Sequence, residues 1–126
     1  MKYKPLNIGE LTARIPLVQG GMGVGISLSG LAAAVANVGG VGLISTAQIG
    51  FREPTWDSNP LESNLKALAE ELKKARALSP KGILGFNIMV ATKRYEEYVG
   101  GSKGWSRDYR IGSRTAGRSP KVCGRL

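Results

Sequence analysis

Apolar runs, amphipathic stripes and glycine breaks succeed one another along most of the chain in an order that predicts alternating strands and helices. Leu6-Asn7-Ile8-Gly9-Glu10-Leu11-Thr12-Ala13 alternates apolar and polar residues about a glycine, the pattern of a short hairpin. Ile15-Pro16-Leu17-Val18 reads as a short buried strand, and it opens into Gly20, Gly21, Gly23 and Gly25. Ser27 or Ser29 can then cap a helix whose Leu28, Leu31, Ala32, Val35 and Val38 recur at three-and-four spacing. Ala32, Ala33, Ala34 and Ala36 would let that helix lie close to a sheet, and Gly39-Gly40 would end it. Val41-Gly42-Leu43-Ile44-Ser45 is continuous enough to be a strand covered on both faces. Strand, helix and strand at this spacing imply a right-handed parallel crossover.

The second half repeats the unit with a longer connection. Thr46 to Asn59 is long for a strand-to-helix loop and carries Phe51, Arg52, Glu53, Pro54, Trp56 and Asp57. Such a loop either bears binding function or is a surface excursion pinned by Trp56. Asn59 as N-cap, Pro60 at the first helical position and Glu62 in the first turn open the best-defined helix. Leu61, Leu65, Leu68, Leu72 and Ala75 form its buried stripe, and Glu62 with Lys66 and Glu70 with Lys74 are exposed i, i+4 pairs. Ser79-Pro80-Lys81-Gly82 turns into a third strand, Ile83 to Val90. A further helical period begins at Arg94-Tyr95-Glu96-Glu97-Tyr98-Val99.

From Gly100 to Leu126 no period is sustained, and the segment holds six glycines and seven basic residues against one acidic. A disordered basic tail is expected, because such a composition buries too little apolar surface to offset its ordering entropy. The formal charge of +9 is therefore unevenly spread: residues 1–99 carry +3 and residues 100–126 carry +6. Trp105 and Tyr109 interleave with Arg107 and Arg110 as in a nucleic-acid arm. A plain linker is the second reading of the tail. Out-of-frame translation is the third and favoured one, since Gly, Arg, Trp and Ser are what G-rich codons give in a shifted frame.

Several chemistries are excluded by residues the chain does not have. It contains no histidine and one cysteine, Cys123, so neither an intramolecular disulfide nor an ordinary Cys/His metal site can form. Gly21-Met22-Gly23 meets Ile26 where G-x-G-x-x-G needs its last glycine, Gly40-Val41-Gly42 ends on Ser45, and no G-K-[ST] follows a glycine loop. Gly25-Ile26-Ser27-Leu28-Ser29 lacks the closing glycine of a serine-hydrolase elbow. The N-terminus lacks the apolar core of a signal peptide and no run is long enough to span a bilayer, so a cytoplasmic location is expected.

What remains is the glycine loop and the polar residues that end strands. Backbone nearly free of side chains lets a flat or phosphorylated ligand approach the peptide N–H groups, although a tight turn would use the same residues. Asn87 is an amide in an otherwise apolar strand. It has to meet partners, either a neighbouring loop backbone or a ligand edge bearing both donors and acceptors. Gln19 and Ser45 also end predicted strands, and buried hydrogen bonding explains them equally well. Met22 could line a ligand or fill a core.

The stretch Ile15 to Gly42, with Ala47-Gln48-Ile49-Gly50-Phe51-Arg52-Glu53 and Gly85-Phe86-Asn87-Ile88-Met89, resembles the nitronate monooxygenase family, formerly called 2-nitropropane dioxygenases. Flavin-dependent enoyl-acyl-carrier-protein reductases are close relatives of that family. The resemblance covers about residues 5 to 99. It implies the N-terminal portion, about three β/α units, of a TIM (β/α)8 barrel, which in full needs roughly 250 residues. Residues 1–99 would be a partial FMN-binding domain and 100–126 the disordered, out-of-frame tail.

The resemblance also implies a cofactor, FMN, lying across the barrel mouth. Gly21, Met22 and Gly23 would line its isoalloxazine ring, and Asn87 would hydrogen-bond it. The implied activity is oxidation of alkyl nitronates, with NAD(P)H-dependent reduction of an enoyl thioester as the neighbouring alternative. A small basic nucleic-acid-binding protein is the alternative from another class, and nothing in residues 1–99 supports it. The family's catalytic histidine and its glycine-rich phosphate site fall beyond the matched region, so no catalytic residue is assigned here and no activity is expected of this chain alone.

Overall fold

The computed structural model describes residues 3–103. Their elements run β1 (Leu6–Ile8), β2 (Leu11–Ala13), α1 (Ser29–Asn37), β3 (Val41–Ser45), α2 (Pro60–Leu78), β4 (Ile83–Asn87) and α3 (Tyr95–Lys103). β1 and β2 form the expected hairpin about Gly9, whose φ of 58° suits a glycine turn. β3 and β4 are parallel, in register from Val41 opposite Ile83 to Ser45 opposite Asn87. Ala13 packs with Val41 and Leu43, and Leu6, Ile8 and Ile83 close around them, so the hairpin covers the N-terminal end of this sheet.

The run Ile15 to Val18 is not a buried strand. It meets β3 through one parallel bridge, Val18 to Val41, with Gln19 N–H donating to Val41 C=O at 3.0 Å and Val41 N–H to Leu17 C=O at 2.8 Å. Ile15, Leu17 and Val18 are exposed. Pro16 has no N–H to pair, and no strand lies on the far side of the run among the described residues. The result is an open parallel sheet, not a closed barrel.

α1 lies against β3 because small residues permit it. Gly42 sits so close to Ala32 that a Cβ there would overlap the Ala32 carbonyl. The helix buries Ser29, Ala32, Ala33 and Ala36. This is not the face drawn by the larger apolar residues: Leu31, Ala34 and Val38 point to solvent. Neither serine caps α1, since its N-cap is Leu28, which offers no side-chain bond. Gly39 ends the helix with φ 98°, and Arg14 packs on it and donates to Val38 C=O at 2.9 Å.

α2 begins as its sequence dictates. Asn59 Oδ1 accepts the Glu62 N–H, and its Nδ2 donates to Glu62 Oε2 at 2.8 Å. Its buried face is centred on Ser63, Asn64, Ala67, Leu68 and Ala75, with Leu61, Leu65 and Leu72 half-buried at the margin. The expected charge pairs are replaced by Lys66 to Glu53 at 2.7 Å and Lys74 to Glu71 at 2.8 Å. The third strand ends at Asn87, three residues before its expected end. Residues 100–103, expected to begin a disordered tail, continue α3; residues 104–126 lie outside the described residues.

Candidate functional site

The loops that follow Gln19, β3 and β4 meet at one end of the sheet. Gly21 lies flush against Asn87, the last residue of β4, so closely that a Cβ at 21 would overlap the Asn87 side chain. Gly23 lies against the β3 loop, where its Cβ would come within 2.8 Å of the Ala47 Cβ. Val24 N–H donates to Ala47 C=O at 2.9 Å and ties the two loops together. The chain turns there through positive φ at Val24 (51°) and Gly25 (77°). For a β-branched valine that conformation is strained.

Gly20, Gly21 and Met22 are exposed, and Gly23 is half-buried. Met22 keeps 47% of its surface, which rules out its use as core filler. Among the described residues the N–H groups of Gly20, Gly21, Gly23 and Gly25 have no acceptor, whereas those of Met22 and Val24 are paired. The Asn87 amide makes no hydrogen bond within the described residues either, while its C=O accepts both the N–H and the hydroxyl of Thr46 at 3.1 Å. A bond from the Asn87 side chain to a neighbouring loop is therefore not the use of this residue.

The weaker candidates separate from the site. Gln19 is buried and spends both ends of its amide on β3, with Nε2 donating to Leu43 C=O at 2.9 Å and Oε1 accepting Leu43 N–H at 3.2 Å. It extends the ladder where the main chain has stopped pairing. Ser45 is buried beside Ser27, to whose C=O its N–H donates at 3.0 Å. Neither offers an amide or a main-chain donor to a ligand.

Two further groups hold the site in place. The β3 loop is anchored by Ile49, in the core, and by Gly50, whose N–H donates to Asn64 Oδ1 at 2.8 Å. Asn64 in turn donates to the Tyr98 hydroxyl at 2.7 Å. Trp56 is half-buried and is not the main anchor. A buried asparagine inside an amphipathic stripe was the one available signal for Asn64. Nothing in spacing marked its partners, which come from a loop and from a third helix.

A family profile for nitronate monooxygenase matches residues 4–108. The chain belongs to the nitronate monooxygenase family. The match takes in both loops of the site, all of α3 and five residues beyond it, and so extends past the point near residue 99 where the sequence resemblance was expected to stop. No curated protein matches the chain. Among the described residues no group of His, Cys, Asp and Glu could hold a metal ion, and no helix is long and apolar enough to cross a membrane. What the chain offers at this end of the sheet is an exposed strip of bare peptide, with the exposed Met22 and the unspent amide of Asn87 beside it.

Proposed function

We propose that residues 1–99 form the N-terminal portion of the FMN-binding barrel of a nitronate-oxidising enzyme, and that the Gly20–Gly25 loop with Asn87 is its strand-end half of the flavin site. The observation that carries this is the contact of Gly21 with Asn87, where unpaired main-chain N–H groups and an unpaired side-chain amide lie side by side. The pyrimidine edge of an isoalloxazine ring presents two carbonyl acceptors and an N–H donor. An amide carrying both kinds of group suits that edge. Glycine is required at 21 because a side chain there would occupy the space the Asn87 amide fills.

Bound there, FMN would supply the redox chemistry for oxidation of the nitronate. The residues of this chain hold the ring in place. Gly21 and Gly23 offer main-chain N–H groups, Met22 an apolar surface, and Asn87 a donor and an acceptor. No residue of the chain is assigned a proton-transfer role, and the sequence has no histidine to take one. The chain by itself is therefore proposed not to turn over nitronate.

The test is a titration of the purified chain with FMN and, in parallel, with lumiflavin, which has the ring and no phosphate. Equal affinities for the two, with Asn87→Leu weakening both about tenfold, are expected from a site that holds the ring alone. Absence of any change in ring absorbance or fluorescence at saturating flavin overturns the assignment. Nitronate-dependent oxygen uptake by the chain overturns the proposed inactivity.

A further inference from the structure

We propose that Ser27 is the positioning residue of the flavin loop, an inference that rests on the reading just given. Ser27 has no exposed surface, yet every bond of its hydroxyl goes to the exposed loop before it. Its Oγ accepts the Met22 N–H at 2.9 Å and donates to the Gly20 C=O at 3.3 Å. Its own N–H donates to Met22 C=O at 3.0 Å, and its C=O receives Ser45 N–H from the end of β3, also at 3.0 Å. One buried side chain thus clasps the loop on both sides of Gly21 and is itself fixed to the sheet.

The consequence is a selection among the loop's donors. Met22 N–H is drawn onto Ser27 and Val24 N–H onto Ala47, while the N–H groups of Gly21 and Gly23 keep no acceptor. Alternate donors are spent within the protein and alternate ones are left for a ligand. A hydroxyl is needed because the clasp requires a donor and an acceptor on one short side chain. Alanine supplies neither, and threonine supplies both at the cost of an extra methyl in a filled site. Service as a helix cap does not explain Ser27, since the α1 N-cap is Leu28 and Glu71 takes the Ser29 N–H.

Amide hydrogen exchange and flavin titration on Ser27→Ala and Ser27→Thr test the proposal in the full chain. In Ser27→Ala the Met22 amide is expected to exchange at least about tenfold faster, with Leu43, Ile44 and Leu84 protected as before, and FMN affinity is expected to fall about tenfold. Ser27→Thr should recover most of both. Unchanged Met22 exchange overturns the clasp. Unchanged FMN affinity despite faster Met22 exchange overturns its role in positioning. A uniform rise in exchange through β3 and β4 also overturns the proposal, because Ser27 would then be a packing residue of the whole sheet. If the wild-type chain perturbs no flavin, the FMN reading fails and the positioning role with it, while the Met22 amide still decides whether the clasp exists.

Discussion

Glu71, midway along α2, accepts the N–H of Ser29 in the first turn of α1, Oε2 to N at 2.9 Å. The helix that has no cap of its own is capped from its neighbour. Burial pushes the Glu71 carboxyl upward, but Lys74 at 2.8 Å and the Ser29 N–H together outweigh it and hold the carboxyl below its ordinary value. A carboxyl lowered by folding stabilises the fold above its unfolded-state value, about 4.3, and that contribution disappears as pH falls through the lower folded value. Glu71→Gln should therefore cost about 1 kcal/mol at pH 7 in urea unfolding, and Glu71→Ala about 2. Both variants should lose less stability than wild type on acidification from about pH 4.3 downward. An unchanged acid limb would show that Glu71 is not the group responsible.

The Gly50, Asn64 and Tyr98 chain of hydrogen bonds ties α3 to the β3 loop through a buried amide. Tyr98→Phe removes one bond and leaves Asn64 Nδ2 without its partner, a loss of about 1–2 kcal/mol. Asn64→Leu also strips the acceptor from the Gly50 N–H and should cost about 2–3 kcal/mol. Because the groups share one network, the double variant should cost clearly less than the two losses added together. Additivity in urea melts would mean that the two bonds act independently.

Gly42 in the centre of β3 is where α1 touches the sheet. A Cβ there would fall on the Ala32 backbone, which cannot swing aside as a side-chain tip could. Gly42→Ala should cost about 3 kcal/mol or more, with loss of the near-ultraviolet signal before the helical signal, because α1 must lift off β3. Retention of wild-type stability would show that the helix can shift without loss.

What the chain announced in advance follows from how local each signal is. The hairpin about Gly9, β3 and the Asn59-Pro60-Glu62 start of α2 depend on neighbours within a few residues, and all stand where the pattern put them, whereas β4 stops at Asn87, short of the Val90 to which its apolar run extends. The buried face of α1 differs from the periodic one because periodicity weighs Leu31 and Val38 above alanine, whereas the close approach at Gly42 admits nothing larger than alanine. Ser27 stands where a serine normally caps a helix. Its partners, Gly20 and Met22, precede it in a loop whose path sequence does not specify. Glu71 and Asn64 act between elements, so their roles existed only once α1, α2 and α3 were packed.

Gly20 and Gly21 are adjacent, exposed and chemically identical, yet the structure separates them. A Cβ at Gly20 meets nothing within 4 Å, whereas one at Gly21 overlaps the Asn87 side chain. Neither has a positive φ, so alanine carries no backbone strain at either position. Gly20→Ala is expected to leave both stability and FMN affinity within about 0.5 kcal/mol of wild type. Gly21→Ala must drive the Asn87 amide away from the loop. It should shift the Asn87 Nδ2 proton resonances and weaken flavin binding about tenfold or more, with a stability loss of about 1–2 kcal/mol as the side chain repacks. Equal effects of the two alanines on flavin affinity would mean that the contact between Gly21 and Asn87 does not define the site. An effect confined to Gly21 would tie the amide and the bare peptide into one recognition surface.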